Sequence, residues 1–211
     1  WPRSCVAWCH NACCRAPTAG MKVTTDSRRV LKSQKLVLEL LLADMPETAY
    51  TRHNELDDWA RKLGVGKPRF EVRAKVAQDL SHPAMAVNLD ACIQCTRCLR
   101  ACRDAQVNDV IGLAFRGERA KIVFDMDDPM GASTCVGCGE CVQACPTGAL
   151  MPARSVALAM PDRQVASVCP YCGVGCQLTY HVKDNKILFV EGRDGPANRG
   201  RLCVKGRYGF D

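Results

Sequence analysis

Sixteen of the 211 residues are cysteine, and twelve of them fall into three close-set quartets. Cys92, Cys95, Cys98 and Cys102 form the first. Cys135, Cys138, Cys141 and Cys145 form the second, and Cys169, Cys172, Cys176 and Cys203 the third. The other four, Cys5, Cys9, Cys13 and Cys14, precede 77 residues without any cysteine. Disulfide frameworks seldom use repeated two-residue gaps, because thiols that close are better placed to share one metal centre. Zinc sites favour two separated C-x2-C pairs. Three evenly spaced cysteines plus a fourth, twice over, specify [4Fe–4S] clusters instead.

Cys92-Ile-Gln-Cys95-Thr-Arg-Cys98-Leu-Arg-Ala-Cys102 and Cys135-Val-Gly-Cys138-Gly-Glu-Cys141-Val-Gln-Ala-Cys145-Pro146 both read C-x2-C-x2-C-x3-C. This resembles the bacterial ferredoxin run, in which the fourth cysteine, expected at the start of a helix, ligates the other cluster. Crossing of that kind gives one cluster to Cys92, Cys95, Cys98 and Cys145, and a second to Cys135, Cys138, Cys141 and Cys102. Gly137 and Gly139 let the loop backbone approach and donate N–H bonds to sulfur. Arg103 stands where the second run has Pro146. Proline there ligates nothing, so the expectation is unaffected. The 43-residue repeat is longer than a bare ferredoxin needs. The insert holds two strand-like runs, 110–115 and 121–124, joined by a turn at Arg116-Gly117-Glu118.

The third quartet reads Cys169-Pro-Tyr-Cys172-Gly-Val-Gly-Cys176, with Cys203 following 27 positions later. Two strands, 177–182 and 186–190, separated by Asp184-Asn185, return the chain so that Cys203 can close the site. Cys169 to Gly175, followed by Gly200-Arg-Leu-Cys203-Val-Lys205-Gly206, resembles the N-terminal [4Fe–4S] domain of the molybdenum/tungsten bis-pterin oxidoreductases. The resemblance implies a bis-pterin guanine dinucleotide in the full-length protein. It also implies that Lys205, two residues after the last cysteine, bridges cluster and pterin.

The elements in front of these loops are helical. Asp26 or Ser27 can cap a helix from about 28 to 43, whose apolar face carries Val30, Leu31, Val37, Leu38, Leu41 and Leu42. Asn54, with Asp57 three later, opens a shorter helix through Leu63, and Gly64 ends it. Both are expected to serve packing alone. Cys14-Arg-Ala-Pro17-Thr-Ala-Gly20-Met21 resembles the last-ligand segment of a plant-type [2Fe–2S] domain, with Cys14 as the matching ligand. Cys5-x3-Cys9 departs from the C-x4-C-x2-C spacing such a domain uses. The H-x3-C-x2-C-x5-C pattern that often follows is missing; Met45 to His53 occupies its place. His53 is then a surface residue, and His82 is expected to order its loop by hydrogen bonding.

Composition supports small cluster-centred units over one large core. The apolar 47% includes all the cysteines, and aromatics make up only 6%. The formal charge of +7 carries no long basic run. Each oxidised four-thiolate cubane adds about −2, so three bring the total to about +1 and remove the case for nucleic acid. No run of about 18 apolar residues offers a membrane span. The chain opens on Trp1 rather than Met, as an inner part of a longer protein would.

The expected fold is α+β and multi-domain, with a ferredoxin-like double [4Fe–4S] domain followed by a small β-rich [4Fe–4S] domain. The divisions are 1–25, a [2Fe–2S] remnant; 26–66, a helical linker; 67–160, the double-cluster domain; and 161–211, the opening of the bis-pterin domain. This order resembles the alpha subunit of cytoplasmic NAD-dependent formate dehydrogenases. The resemblance implies electron transfer from formate oxidation toward a flavin- and NAD-binding partner subunit. Competing readings are a free-standing polyferredoxin, the large subunit of an NADH:quinone oxidoreductase or a related molybdenum reductase, and a structural zinc protein. A pterin-facing lysine has no use in the first, and the missing His/Cys3 pattern weighs against the second.

Overall fold

The computed structural model describes residues 16–47, 50–51, 54–72, 75–153 and 160–210. Helix α1 spans Arg28–Ala43, and the Ser27 side chain accepts from Val30 N–H at its start. Helix α2 spans Glu55–Leu63. Asn54 caps it through Leu56 N–H, and Gly64 closes it in the left-handed region at φ 63. Both boundaries follow from local cap chemistry, which is why the sequence shows them. The apolar face of α1 is only partly covered. Ala43 is buried, while Leu36, Val37 and Leu40 are 42%, 54% and 46% exposed.

The double-cluster region is closed by pairing its two ends. Strand β1 (Met85–Val87) runs antiparallel to β4 (Leu150–Pro152), matching Met85 with Pro152 and Val87 with Leu150. Sequence periodicity does not reveal this pair, because each strand is only three residues long and largely buried. Between them lie α3 (Arg97–Arg100), a wider helical turn over Ala101–Ala105, the hairpin β2 (Ile111–Ala114) and β3 (Lys121–Phe124), and α4 (Glu140–Ala144). One core joins Met85, Val87, Ile111, Ile122, Phe124, Met130 and Leu150 with Cys98, Cys102 and Cys141.

Asn88 is fully buried and holds the closing strands by donating to Gly148 O at 3.3 Å. Thr147 donates to Ala91 O at 2.6 Å from the same end. Helix α2 is attached here as well. Glu55 N–H donates to Pro146 O at 2.9 Å, and the Glu55 carboxylate meets Arg97 at 2.7 Å.

The last unit is a three-stranded antiparallel meander: β5 (Arg163–Val168), β6 (Gln177–Lys183) and β7 (Lys186–Gly192), with α5 (Val204–Tyr208) at its end. The β6–β7 hairpin is the expected one. Strand β5 is additional, and its pairing of Val168 with Gln177 turns Cys169–Cys176 into the loop of a second hairpin. A small core of Cys169, Leu178, Val190 and Leu202 lies beneath that loop.

Candidate metal centres

The first loop leaves the turn Leu89–Ala91 at Cys92 and enters α3 at Arg97. Gln94 and Thr96 between them have φ of 55 and 57, in the left-handed region. In the second loop the corresponding positions are Gly137 and Gly139, with φ of 67 and 70. Two left-handed residues curl each loop so that its cysteines face inward. The first loop reaches this shape without glycine, at a strain of about 1–2 kcal/mol for each residue. Gln94 offsets part of it by donating from its side chain to Ala120 O at 2.7 Å, which ties the loop to the hairpin.

The two repeats cross. One cavity is lined by Cys92, Cys95, Cys98 and Cys145, together with Leu89, Ile93, Ile122 and Leu150. A second is lined by Cys102, Cys135, Cys138 and Cys141, with Val110, Ile111, Phe124 and Met130. The fourth cysteines do not begin helices, contrary to the sequence expectation. Cys102 lies in the wide turn that continues α3, and Cys145 is the residue that ends α4. A helix started near the third cysteine must run its length before the fourth can reach the neighbouring loop.

Backbone N–H groups point at sulfur in both loops. Gln94 N–H reaches Cys92 Sγ, Gly137 N–H reaches Cys135 Sγ and Leu150 N–H reaches Cys145 Sγ, each at 3.4 Å. Four of these thiols, Cys98, Cys135, Cys138 and Cys141, are unfavourable places for unshared negative charge. Burial, followed by the nearby Cys92, Cys145 and Cys95, pushes Cys98 up to about 12. Burial and the neighbouring Cys138 and Cys135 push Cys141 well up too. Burial raises Cys135 and Cys138, opposed by the N–H groups of Gly137 and Glu140. A cationic centre reverses this balance, because thiolates then bind metal in place of protons.

Among the described residues, no three His, Cys, Asp or Glu side chains converge closely enough for a single metal ion. A tetrahedral zinc site with Zn–S bonds of about 2.3 Å would hold its sulfurs only about 3.8 Å apart. The first two quartets enclose apolar spaces instead of converging on points, and thiolates around such spaces could hold [4Fe–4S] cubanes.

The third quartet is more open. Cys169 N–H donates to Cys176 O at 2.8 Å, closing the β5–β6 loop. Cys169 is buried, Cys176 half-buried, and Cys172 and Cys203 exposed. Burial raises the Cys176 thiol, and Cys169, Cys172 and Cys203 each raise it further, so the four lie within electrostatic reach of one another. Gly206 brings α5 against the same small core: a Cβ there would lie 3.3 Å from Leu202 Cδ2 and in ordinary contact with Cys169 Sγ at 3.5 Å. Lys205 is exposed on α5, two residues past the quartet's last cysteine. Cys14 and His53 lie outside the described residues. His82 accepts Ala84 N–H on Nδ1 at 3.1 Å, within its own loop.

Several residues that position the sites have no motif to announce them. Buried Asn198 donates to the carbonyls of Gln177, Arg193 and Arg201 and accepts from Gln177 N–H, fixing the loop that delivers Cys203. Gln143, on α4 between two cysteines of the second quartet, donates to Gly200 O at 2.7 Å. Arg207, only 3% exposed, donates from Nε to Cys138 O at 3.0 Å and pairs with Glu140 at 3.3 Å. The third quartet is thereby fastened directly to the second. A run of Gly, Asn and Arg near residue 200 hints at the loop, but nothing local shows what it docks against.

Two family models match separate parts of the chain. Residues 91–149 match the 4Fe-4S dicluster domain, and residues 162–211 match the molybdopterin oxidoreductase Fe4S4 domain. The chain is 28% identical over 94% of its length to a putative formate dehydrogenase of Staphylococcus haemolyticus. It is 32% identical over 95% of its length to an NADH-quinone oxidoreductase subunit of Rhizobium meliloti. These relatives are oxidoreductases or components of them, and the chain spans only 25% and 24% of their lengths. An NAD+-reducing [NiFe]-hydrogenase structure shares the fold at a TM-score of 0.58 and 21% identity, over 64% of this chain and 60% of that one. The chain is thus related to the iron–sulfur portion of molybdopterin oxidoreductases, with formate dehydrogenase-like and NADH-quinone oxidoreductase-like relatives.

Proposed function

We propose that this chain is the electron-transfer segment of a molybdenum or tungsten bis-pterin formate dehydrogenase, working toward an NAD-reducing partner subunit. One observation carries the reading. Two crossed quartets share a core, and that core is fastened through Arg207 and Gln143 to a third quartet of the molybdopterin oxidoreductase type. The working units are 67–160 and 161–211, preceded by a helical linker at 26–66 and a [2Fe–2S] remnant at 1–25 that contributes Cys14.

Three [4Fe–4S] clusters would be held by Cys92, Cys95, Cys98 and Cys145; by Cys102, Cys135, Cys138 and Cys141; and by Cys169, Cys172, Cys176 and Cys203. When bound, such clusters exchange single electrons at potentials set by burial and hydrogen bonds to sulfur. The residues here supply an apolar enclosure and N–H donors around the first two. Around the third they leave Cys172, Cys203 and Lys205 open to a neighbouring surface. A bis-pterin guanine dinucleotide facing Lys205 and a flavin- and NAD-binding partner complete the reading, with a cytoplasmic location.

Anaerobic reconstitution followed by iron, acid-labile sulfide and zinc analysis tests the ligand sets. Three cubanes give about twelve iron per chain. About eight would remove the third site, and zinc in place of iron would overturn the whole reading. In the holoprotein, formate should bleach the iron–sulfur absorbance. A second reading, a component of a quinone-linked NADH dehydrogenase, is favoured by the 32% identity to the Rhizobium meliloti relative. It predicts bleaching by NADH and none by formate.

A further inference from the structure

Tyr208, the last residue of α5, sits where the third unit meets the second quartet. It packs against the core that contains Cys102 and Cys141, as Cys135 does. Its hydroxyl is buried and has no hydrogen-bond partner among the described residues. That hydroxyl also lies within electrostatic reach of Cys141, Cys138 and Cys135. A buried phenol normally finds an acceptor, because an unmet one costs about 1–3 kcal/mol.

The surroundings hold the ring in this position. Arg207 donates to Cys138 O and pairs with Glu140, which anchors α5 one residue earlier. Gly139 provides the space, since a Cβ there would collide with Arg207 Cδ and the Tyr208 hydroxyl. Among the described residues no group, cysteine sulfur included, accepts from this hydroxyl; the inorganic sulfide of a cluster held by the second quartet would supply the missing acceptor.

We infer that Tyr208 donates its hydroxyl hydrogen to a sulfur of the cluster held by Cys102, Cys135, Cys138 and Cys141, and so raises that cluster's reduction potential. The inference rests on that ligand assignment. A hydrogen bond to sulfur favours the more negative, reduced state. The donor comes from the third unit, so the potential of the second site depends on how that unit is docked. Tyr208 is a positioning and tuning residue and is not itself oxidised or reduced.

The test is an EPR-monitored redox titration of the full-length holoprotein, with iron counted in each sample. Tyr208→Phe keeps the ring and removes the donor. One of the cluster waves should move to lower potential by roughly 30–60 mV, a three- to tenfold fall in its reduced-to-oxidised ratio at a given potential, while the other waves stay in place. Site-specific 3-fluorotyrosine at position 208, a stronger donor of nearly the same shape, should move the same wave upward. It serves as the deciding variant if Tyr208→Phe fails to fold. Full iron content with no moved wave in the variants overturns the inference. Wild-type protein lacking iron at the second quartet overturns the ligand assignment instead, a separate and distinguishable failure.

Discussion

At the scale of single residues, the buried thiols of Cys98, Cys135, Cys138 and Cys141 are poorly suited to be anions until metal arrives. Cys98 shows this most clearly. Its pKa rises from 9.0 to about 12, chiefly through burial and then through the thiols of Cys92, Cys145 and Cys95. A folded-state pKa raised above the unfolded value favours the folded state below the unfolded pKa, and that advantage is lost as pH rises. The metal-free chain should therefore lose stability between about pH 9 and pH 12. Circular dichroism melts across that range check this. Cluster-loaded protein should not show the same loss, because Cys98 then has no proton to release. Cluster assembly must displace protons from all the buried thiols, so reconstitution should become less complete as pH falls.

At the scale of elements, the geometry turns on short helices whose lengths decide which loop a cysteine reaches. The α3 helix and the turn after it place Cys98 at one cavity and Cys102 at the other. Cys102→Ser should therefore damage the site built by the other repeat. Thiol alkylation read by mass spectrometry should find Cys135, Cys138 and Cys141 newly reactive, with Cys92, Cys95 and Cys98 still protected. The opposite pattern would mean that each repeat keeps its own cluster.

The docking of α5 has a similarly local test. Gly139→Ala combines left-handed strain with a collision against Arg207 and Tyr208, so it should cost about 2–4 kcal/mol. Gly137→Ala is also left-handed, but its nearest contact, with Val204 at 3.5 Å, is ordinary. It should cost only about 1–2 kcal/mol. Denaturant melts followed by iron–sulfur absorbance separate the two. Equal losses would show that the Arg207 and Tyr208 contacts contribute nothing.

At the scale of the whole molecule, three small units are joined by polar groups that face specific backbone atoms. Glu55 and Pro146 attach α2 to the double-cluster region, and Gln143 and Arg207 attach the third unit. Arg207→Ala would leave Glu140 buried without its charged partner, a change that typically costs about 3–5 kcal/mol. The third unit should then become susceptible to limited proteolysis while the first two quartets keep their iron. Among the described residues no helix is long and apolar enough to cross a membrane. The uncovered stripe of α1 at Leu36, Val37 and Leu40 shows that its apolar spacing exceeds what these residues pack against.

The sequence alone supplied the cysteine spacing from which the ligand sets are proposed, and it determined the two linker helices and the hairpins within the repeat insert and the third unit. Ligand spacing, cap residues and turn residues act over a few positions, and such chemistry is written locally. It did not determine the β1–β4 closure, strand β5, the true helical positions of Cys102 and Cys145, or the roles of Asn198, Gln143, Arg207 and Tyr208. Those depend on groups far apart in the chain. Arg207 and Cys138 are 69 positions apart, and Gln143 and Gly200 are 57. Only the tertiary structure brings them together, because a hydrogen bond to a distant carbonyl leaves no periodicity or motif in the sequence.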